Sequence, residues 1–519
     1  MRSWNRLKII ICFTLCASLL SACSFQHVNL SRASDTKSRS DITSLGLSPE
    51  FSYDVPVSSP SIEADRLGYL IGEKKKAVFK SNKPGDDFSL VNAQTGKTVY
   101  KGKLRKLKSA EGESCIGDFS SWDKPGRYYL ENEKTGRSYT FEISEDLYGS
   151  LLNTSLKQYY LSRCGMSLTE AYAGKNAHGA CHMKSAYIEG ESSASLNAPG
   201  GWHVDGQGDR DVIQGCQASD ILLLTYELNP NVCGDDEDIP ESGNGIPDIL
   251  DEIRYETDWL LKMQDEKSGG VYNGINVTGA VNAQTLVAGK ITMNATLEFA
   301  AAMAKFSYVY QTFDSEYATL CLKAADRAMQ CAAQHDNDTD PDDYFMAASE
   351  LYRATGYAKY GSIVTDYLTE NEKPDISDKS VFRGCVTYIC TKQKVDTDIC
   401  SRIITELMDE ASELSENARH KEYLVTTYDG DDNIEKMLEM TSHLAVVNYV
   451  ISNSEYRTAL GDYVHYFLGR NNGAVIYAHC GVSEDAGSKG YDINSKTDLN
   501  AYWVLLISGL ENAGTGDDK

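Results

Sequence analysis

The chain has 519 residues, too long for one ordinary domain, so two folded units plus a targeting segment are expected. Fifty Lys and Arg against seventy-five Asp and Glu leave a net charge of −25, which repels phosphate backbones and anionic headgroups and excludes nucleic acid as a partner class. A chain that is 41% hydrophobic and carries 32 tyrosines suits a soluble fold with a neutral ligand, since tyrosine stacks well on sugar rings.

At the amino terminus, Arg2, Arg6 and Lys8 precede an apolar run from Ile9 to Leu20, too short to span a bilayer comfortably. The run ends in Leu20-Ser21-Ala22-Cys23, which resembles a bacterial lipoprotein box. Residues 1–23 are therefore expected to be a lipoprotein signal, with Cys23 lipidated and the mature chain anchored outside the cell membrane. Residues 24–59 then form a polar, serine-rich tether. Plain secretion is the alternative.

Residues 60–145 carry short apolar segments such as Lys76-Ala77-Val78-Phe79, Phe88-Ser89-Leu90-Val91, Thr98-Val99-Tyr100 and Arg127-Tyr128-Tyr129-Leu130. Turn clusters such as Lys83-Pro84-Gly85-Asp86 and Lys124-Pro125-Gly126 separate them, which predicts a small immunoglobulin-like β-sandwich. From residue 146 to 519 the pattern is helical, with about twelve stretches and no clear strands between them. They include Tyr148–Arg163, Val212–Leu228, Ile246–Met263, Asn294–Tyr310, Glu316–Ala333, Tyr344–Thr355, Ser401–Leu414, Lys436–Ile451 and Asn500–Leu510. With no fixed-length repeat, this predicts an (α/α)₆ toroid. Of the fourteen cysteines, several fall within helical patterns beside small residues, as Cys216, Cys321 and Cys331 do, and read as buried apolar side chains.

Pro240-Glu241-Ser242-Gly243-Asn244-Gly245-Ile246-Pro247-Asp248-Ile249-Leu250-Asp251-Glu252 is followed by Asp258-Trp259-Leu260-Leu261-Lys262-Met263-Gln264 and Gly269-Gly270-Val271-Tyr272. Later come Ala300-Ala301-Ala302-Met303-Ala304, Glu350-Leu351-Tyr352-Arg353-Ala354-Thr355-Gly356 and Tyr466-Phe467-Leu468-Gly469-Arg470-Asn471. In this order the chain resembles glycoside hydrolase family 9, the branch with an immunoglobulin-like module before its (α/α)₆ barrel. The resemblance implies a cellulase-like enzyme that hydrolyses β-linked glucan or a related oligosaccharide with inversion. Read for themselves, Pro247, Asp248, Asp251 and Glu252 fit the start of a helix, where a missing amide hydrogen costs nothing and carboxylates meet the positive dipole end.

Cys164, Cys181, His182 and His203 supply two thiolates and two imidazoles, the composition of a closed zinc site. The resemblance implies a structural zinc on these four residues, and a Cys164–Cys181 disulfide is the alternative. The acidic run Asp235-Asp236-Glu237-Asp238 is a candidate calcium loop or a solvated turn.

Residues 200–211 read Gly-Gly-Trp-His-Val-Asp-Gly-Gln-Gly-Asp-Arg-Asp and resemble the family loop that carries the catalytic base. Aligned without gaps, the two loop aspartates of the family fall on Val204 and Gln207, so Asp205 and Asp209 become the base candidates. The family acid, six residues before Asn500-Ala501, falls on Asn494. Asp492, Asp498, Glu484 and Asp485 are carboxylates to which that role could be displaced, and the family's Pro-His-x-Arg element is missing after Asn471, with His479 a weak substitute. Trp202, Gln207 and Asn494 are the expected sugar-contacting residues. Two further readings are a glycan-binding protein that has lost catalysis and a purely structural surface lipoprotein.

Overall fold

The computed structural model describes residues 60–81, 85–107, 114–279, 283–429, 433–478 and 492–514. Cys23 with its signal and tether, and also His479, Glu484 and Asp485, lie outside the described residues. The chain divides into two compact units that part between Ser144 and Glu145.

The first unit is a β-sandwich of nine strands. Its strand β1 (Ile62–Glu63), β2 (Gly68–Leu70), β3 (Lys76–Lys80), β4 (Asp87–Asn92), β5 (Thr98–Lys106) and β6 (Ser114–Asp118) are followed by β7 (Gly126–Asn132), β8 (Gly136–Arg137) and β9 (Phe141–Ser144). The order is β1-β3-β6-β5-β4-β7-β9-β2, with β8 paired to β7. The long β5 joins the two layers: its first residues pair with β4 and its last three with β6. Apolar side chains at alternate positions, Ala77 and Phe79, Phe88 and Leu90, Tyr128 and Leu130, Phe141 and Ile143, fill the space between the layers, as a period of two requires. Tyr69 meets Phe119 and Phe141 edge-on, with centroids 5.2 and 5.3 Å away.

The second unit contains twelve helices of twelve residues or more among the described residues. These are α1 (Tyr148–Leu161), α2 (Val212–Leu228), α3 (Asp248–Met263), α4 (Met293–Tyr310), α5 (Ser315–Ala332) and α6 (Pro341–Thr355), then α7 (Ala358–Glu370), α8 (Lys379–Cys390), α9 (Thr397–Ala418), α10 (Asn433–Ile451), α11 (Ser454–Phe467) and α12 (Thr497–Gly514). The even-numbered helices form an inner ring. Helix α4 packs on α2 and α6, α6 on α8, and α12 on α10 and α2. Phe382 of α8 stacks on His443 of α10 at 3.7 Å and closes the circle. An inner helix is covered on most sides, and Ala300, Ala301, Ala302 and Ala304 of α4 are fully buried, their small side chains admitting neighbours on both flanks. Odd-numbered helices pack outside, amphipathic and with one exposed face. This is the (α/α)₆ toroid the helix count predicted.

One expectation is corrected. The helical region does hold strands: β10 (Ala186–Ile188), β11 (Glu191–Leu196), β12 (Arg210–Asp211), β13 (Val271–Tyr272), β14 (Gly274–Thr278), β15 (Thr285–Ala288) and β16 (Ile291–Thr292). Five of them form a mixed sheet in the order β11-β10-β15-β14-β12, and β13 pairs with β16. They are too short for a period of two to stand out in the sequence, and pairing partners far along the chain supply what local sequence lacks.

The inner ring encloses a buried ionic network. Arg383 of α8 donates from Nε to Asp220 of α2 at 2.8 Å and from a terminal nitrogen to Glu298 of α4, also at 2.8 Å. Lys305 of α4 reaches Asp220 at 3.1 Å, and Gln217 of α2 donates to Glu298 at 2.7 Å. Arg353 of α6 pairs with Glu227 of α2 at 3.0 Å and with Glu350 at 3.2 Å. Burial alone would raise the Asp220 carboxyl, but Arg383 and Lys305 hold it down to about 2. Removing one partner leaves an unpaired buried charge, so Arg383→Ala is expected to destabilise the barrel by about 3–5 kcal/mol in urea unfolding followed by the far-UV helical signal. A loss below about 1 kcal/mol would show that the network is not what holds the ring.

Candidate functional site

The end of α1 and the glycine-rich loop are zipped together. Cys164 N donates to Gly201 O at 2.8 Å, His203 N donates to Ser162 O at 2.8 Å, and Arg163 and Trp202 form a β-bridge between them. This places the Cys164 and His203 side chains together. A second short bridge, Leu168 with His178, folds the following segment back and brings Cys181 and His182 to the same point. His182 has φ +49°, a left-handed conformation rare for a side chain of its size, which turns two adjacent residues toward one centre.

Cys164 and Cys181 have sulfurs 3.8 Å apart, Cys164 Sγ lies 3.5 Å from His182 Nδ1, and Cys181 Sγ lies 3.6 Å from His203 Nε2. Two thiolates bound to zinc at the tetrahedral angle sit about 3.8 Å apart, and a thiolate and an imidazole about 3.5 Å. The four donor atoms lie within 4.8 Å of one another, the only such group of three or more His, Cys, Asp or Glu side chains among the described residues. The donor set and spacing thus fit a tetrahedral ion, and both cysteines carry free thiols rather than a disulfide. The neighbouring Cys164 thiol holds Cys181 below the ordinary thiol range, burial opposes this and His203 assists, while Cys181 and burial hold Cys164 above it.

Trp202 lies in the core, only 1% exposed, against the Tyr159 ring at 4.7 Å. Its backbone amide donates to Glu256 Oε2 at 2.7 Å, and burial pushes the Glu256 carboxyl up to about 8. The expected sugar-contacting role of Trp202 is therefore corrected to a scaffold role, because the ring presents no face to solvent. Gly201, with φ +80°, has to be glycine, since a Cβ would lie 2.6 Å from the Trp259 ring.

Beyond His203 the loop makes a tight turn. Asp205 Oδ1 accepts from the amides of Gln207, Gly208 and Asp209 at 2.9, 2.8 and 2.9 Å, an aspartate turn that leaves Asp205 and Gln207 exposed. Gly208 packs on the His182 imidazole, where a Cβ would lie 2.2 Å away. Asp209 is half-buried, and its Oδ1 accepts from Val277 N of β14 at 2.6 Å. The loop then enters β12, where the buried Arg210 donates to the carbonyls of Ala198 and Gly200, both at 3.2 Å. Asp211 caps α2 by accepting from Gln214 N at 2.9 Å. Sequence reasoning passed over Asp211, although an aspartate directly before an apolar helical run is the usual capping signal.

Asn494 is 8% exposed, and its amide nitrogen donates to Asn500 Oδ1 at 2.8 Å and Ser155 Oγ at 3.2 Å. It ties α12 to α1 and is committed to packing, which corrects its expected contact with sugar. Asp492 Oδ1 accepts from Asn494 N at 3.1 Å and caps the turn Ile493–Ser495. Asp498, in the first turn of α12, is half-buried.

The amino termini of the inner helices converge on one mouth. Asp343 of α6 accepts from Asn294 of α4 at 2.7 Å and Ser380 of α8 at 2.6 Å, and Glu435 of α10 and Lys379 of α8 both act on Asp498 of α12. The acidic run is occupied with its own turn. Asp235 accepts from the amides of Gly243 and Gly245 at 2.7 and 2.8 Å, and Asp248 accepts from Glu237 N and Ser242 Oγ at 2.6 and 2.8 Å. Burial, then Asp236 and Asp248, push the Glu237 carboxyl up to about 7. Gly469-Arg470-Asn471 is likewise structural, with Arg470 fully buried and paired to Asp462 at 2.9 Å.

The profile of the cellulase N-terminal ig-like domain matches residues 57–137. A cellodextrinase of Butyrivibrio fibrisolvens is 26% identical over 504 aligned residues, covering 88% of this chain and 91% of the relative. A metagenome-derived glycoside hydrolase family 9 endoglucanase superposes with a TM-score of 0.76 at 24% identity, covering 86% of this chain and 98% of its own. A zinc-binding triple mutant of the endoglucanase J30 superposes with a TM-score of 0.75 at 23% identity, covering 85% and 99%. The Glycosyl hydrolase family 9 profile matches residues 148–490, from the first helix of the barrel to beyond its eleventh, and the chain belongs to that family.

Proposed function

We propose that the mouth of the barrel binds a β-linked glucan or related oligosaccharide and hydrolyses it in the manner of a cellulase, with inversion at the anomeric carbon. The observation that carries this reading is the half-buried Asp209, held by Val277 N at 2.6 Å two residues before the cap of an inner helix, on a barrel of hydrolase family membership. Asp209 takes the proton of the attacking water, and Asp205 shapes the turn that presents it. The match to a cellodextrinase across most of the chain favours a soluble β-glucan oligosaccharide over a crystalline surface.

The second reading, binding without cleavage, is favoured by one observation: the family's base position holds the exposed amide of Gln207. Purified residues 24–519 are expected to release reducing ends from soluble β-glucan or cello-oligosaccharide. Asp209→Asn is expected to lower kcat by about 10²–10⁴-fold. Binding without any product across β-glucan, xylan and mannan would establish the second reading instead.

Zinc on Cys164, Cys181, His182 and His203 is proposed as a structural ion that pins the 204–211 turn to α1 through His203 and Gly208. The folded protein is expected to carry about one equivalent of zinc, and Cys181→Ser is expected to lose the metal and lower Tm. Well-folded, metal-free wild type would remove the ion from the account. For calcium, the Asp235 and Asp248 carboxylates already accept amides and a hydroxyl of their own loop, which supports a self-satisfied turn. The lipid anchor at Cys23 is proposed to hold the enzyme on the outer side of the bacterial cell membrane. Cys23→Ala should move the protein from the membrane fraction to the soluble one.

A further inference from the structure

The amino ends of the inner helices form the mouth, and the carboxy ends of three of them enclose a second cavity of about 260 Å³. Asn229 follows α2, Asn448, Tyr449 and Ser452 lie at the end of α10, and Leu505 and Gly509 belong to α12. These helices are neighbours in the ring, since α12 packs on both α10 and α2. At 1.5 Å per residue, Tyr449 stands about 24 Å along α10 from Asn433, so the cavity is remote from the mouth.

Its chemistry is uniform in one respect. Every described residue that lines it is uncharged, on a chain of net charge −25. Asn229 is 4% exposed and is set in the wall by donating from its amide nitrogen to Ser508 Oγ at 3.1 Å. Asn448, half-buried, brings a further amide with two donors and an acceptor. Tyr449 is 38% exposed and supplies an aromatic ring, and Ser452, with φ +49° and its amide donating to Asn448 O at 2.7 Å, adds a hydroxyl at the rim. A Cβ at Gly509 would meet no atom within 4 Å. Packing therefore does not call for glycine at this mid-helix position, where it weakens the helix, and the side chain it omits is space given to the cavity.

We infer that this cavity is a second sugar site, holding one neutral pyranose ring apart from the mouth. A pyranose carries hydroxyls around its edge and C–H groups on its faces. The amides of Asn229 and Asn448 and the Ser452 hydroxyl suit the edge, and the Tyr449 ring suits a face. An anionic sugar finds no cation in the lining and meets a repelling field. A wholly apolar occupant would strip water from two amides and a hydroxyl without replacing it. Ordinary small-molecule clefts run to about 300–1,000 Å³, so a cavity below that range takes one ring rather than a length of chain. The ring is either a free monosaccharide or the end unit of a longer glucan. In the second case the site tethers the protein to the polymer while the mouth acts elsewhere on it.

Methyl NMR of leucine-labelled residues 24–519 reads the cavity directly, through the methyl groups of Leu228, Leu460 and Leu505 in its wall. D-glucose is expected to shift these signals saturably with a Kd of the order of millimolar, and D-glucuronate to bind at least about tenfold more weakly. Methyl 4-thio-β-cellobioside, which resists hydrolysis, separates the two sources: shifts with glucose alone assign a free monosaccharide, and shifts with both ligands assign the end of a chain. Gly509→Leu fills the open space with a good helix former and is expected to abolish the shifts. Tyr449→Ala alters an exposed side chain and is expected to raise Kd about tenfold. Both variants should keep the wild-type kcat on soluble cello-oligosaccharide, because neither residue is near the mouth. No saturable shift in the wild type up to about 100 mM glucose would overturn the inference. So would a wild-type Kd in both variants, or glucuronate binding as tightly as glucose. A wild type without hydrolytic activity removes the catalytic reading of the mouth and leaves this site to stand or fall on the shifts.

Discussion

Arg383 sits almost unexposed between Asp220 and Glu298, and the relative placing of the inner helices depends on that arrangement. A single guanidinium joins α8 to α2 and α4, across the ring rather than between neighbours, and Lys305 closes the set from α4. An inner ring packed only by small apolar side chains could slide by a residue with little penalty. A forked donor with two fixed carboxylates cannot, because a slip strands a charge out of water. Fixing the register of the inner helices fixes their amino termini, and with them Asp211, Asp343, Glu435 and Asp498.

A second clamp acts on the loop rather than the barrel. The segment 200–203 is held from below by Glu256 and the Trp259 ring and from the side by the end of α1, with the Cys and His cluster at its edge. From Val204 onward the loop is held by the Asp205 turn, by Val204 N donating to Asp209 O at 2.8 Å and by Gly208 against His182, until Asp209 meets β14. The two halves of one motif therefore serve different ends. Its first four residues are scaffold, and the candidate base residues come only after them. The turn that follows is bounded by two glycine-dependent contacts and can change composition without disturbing what precedes it.

Much of this was legible in the sequence. The segment Val212–Leu228 is the helix the pattern predicts, Asn294–Tyr310 differs from the structure by one residue at its start, and Glu316–Ala333 is displaced by one residue at each end. Helix α9 was read as Ser401–Leu414 but runs from Thr397 to Ala418, because its Asp396 cap lies before the first apolar residue. Strand segments of the sandwich show because half-buried strands alternate. The short strands β10 to β16 do not show, since two to six residues of mixed polarity carry no period. In the site, residue types were readable and directions were not. Trp202 and Asn494 were expected to face sugar, yet one is buried under Tyr159 and the other bonded to Ser155 and Asn500, through partners remote in sequence. The Cys and His cluster could be read because a set of two thiols and two imidazoles has a chemical signature that survives without knowledge of direction.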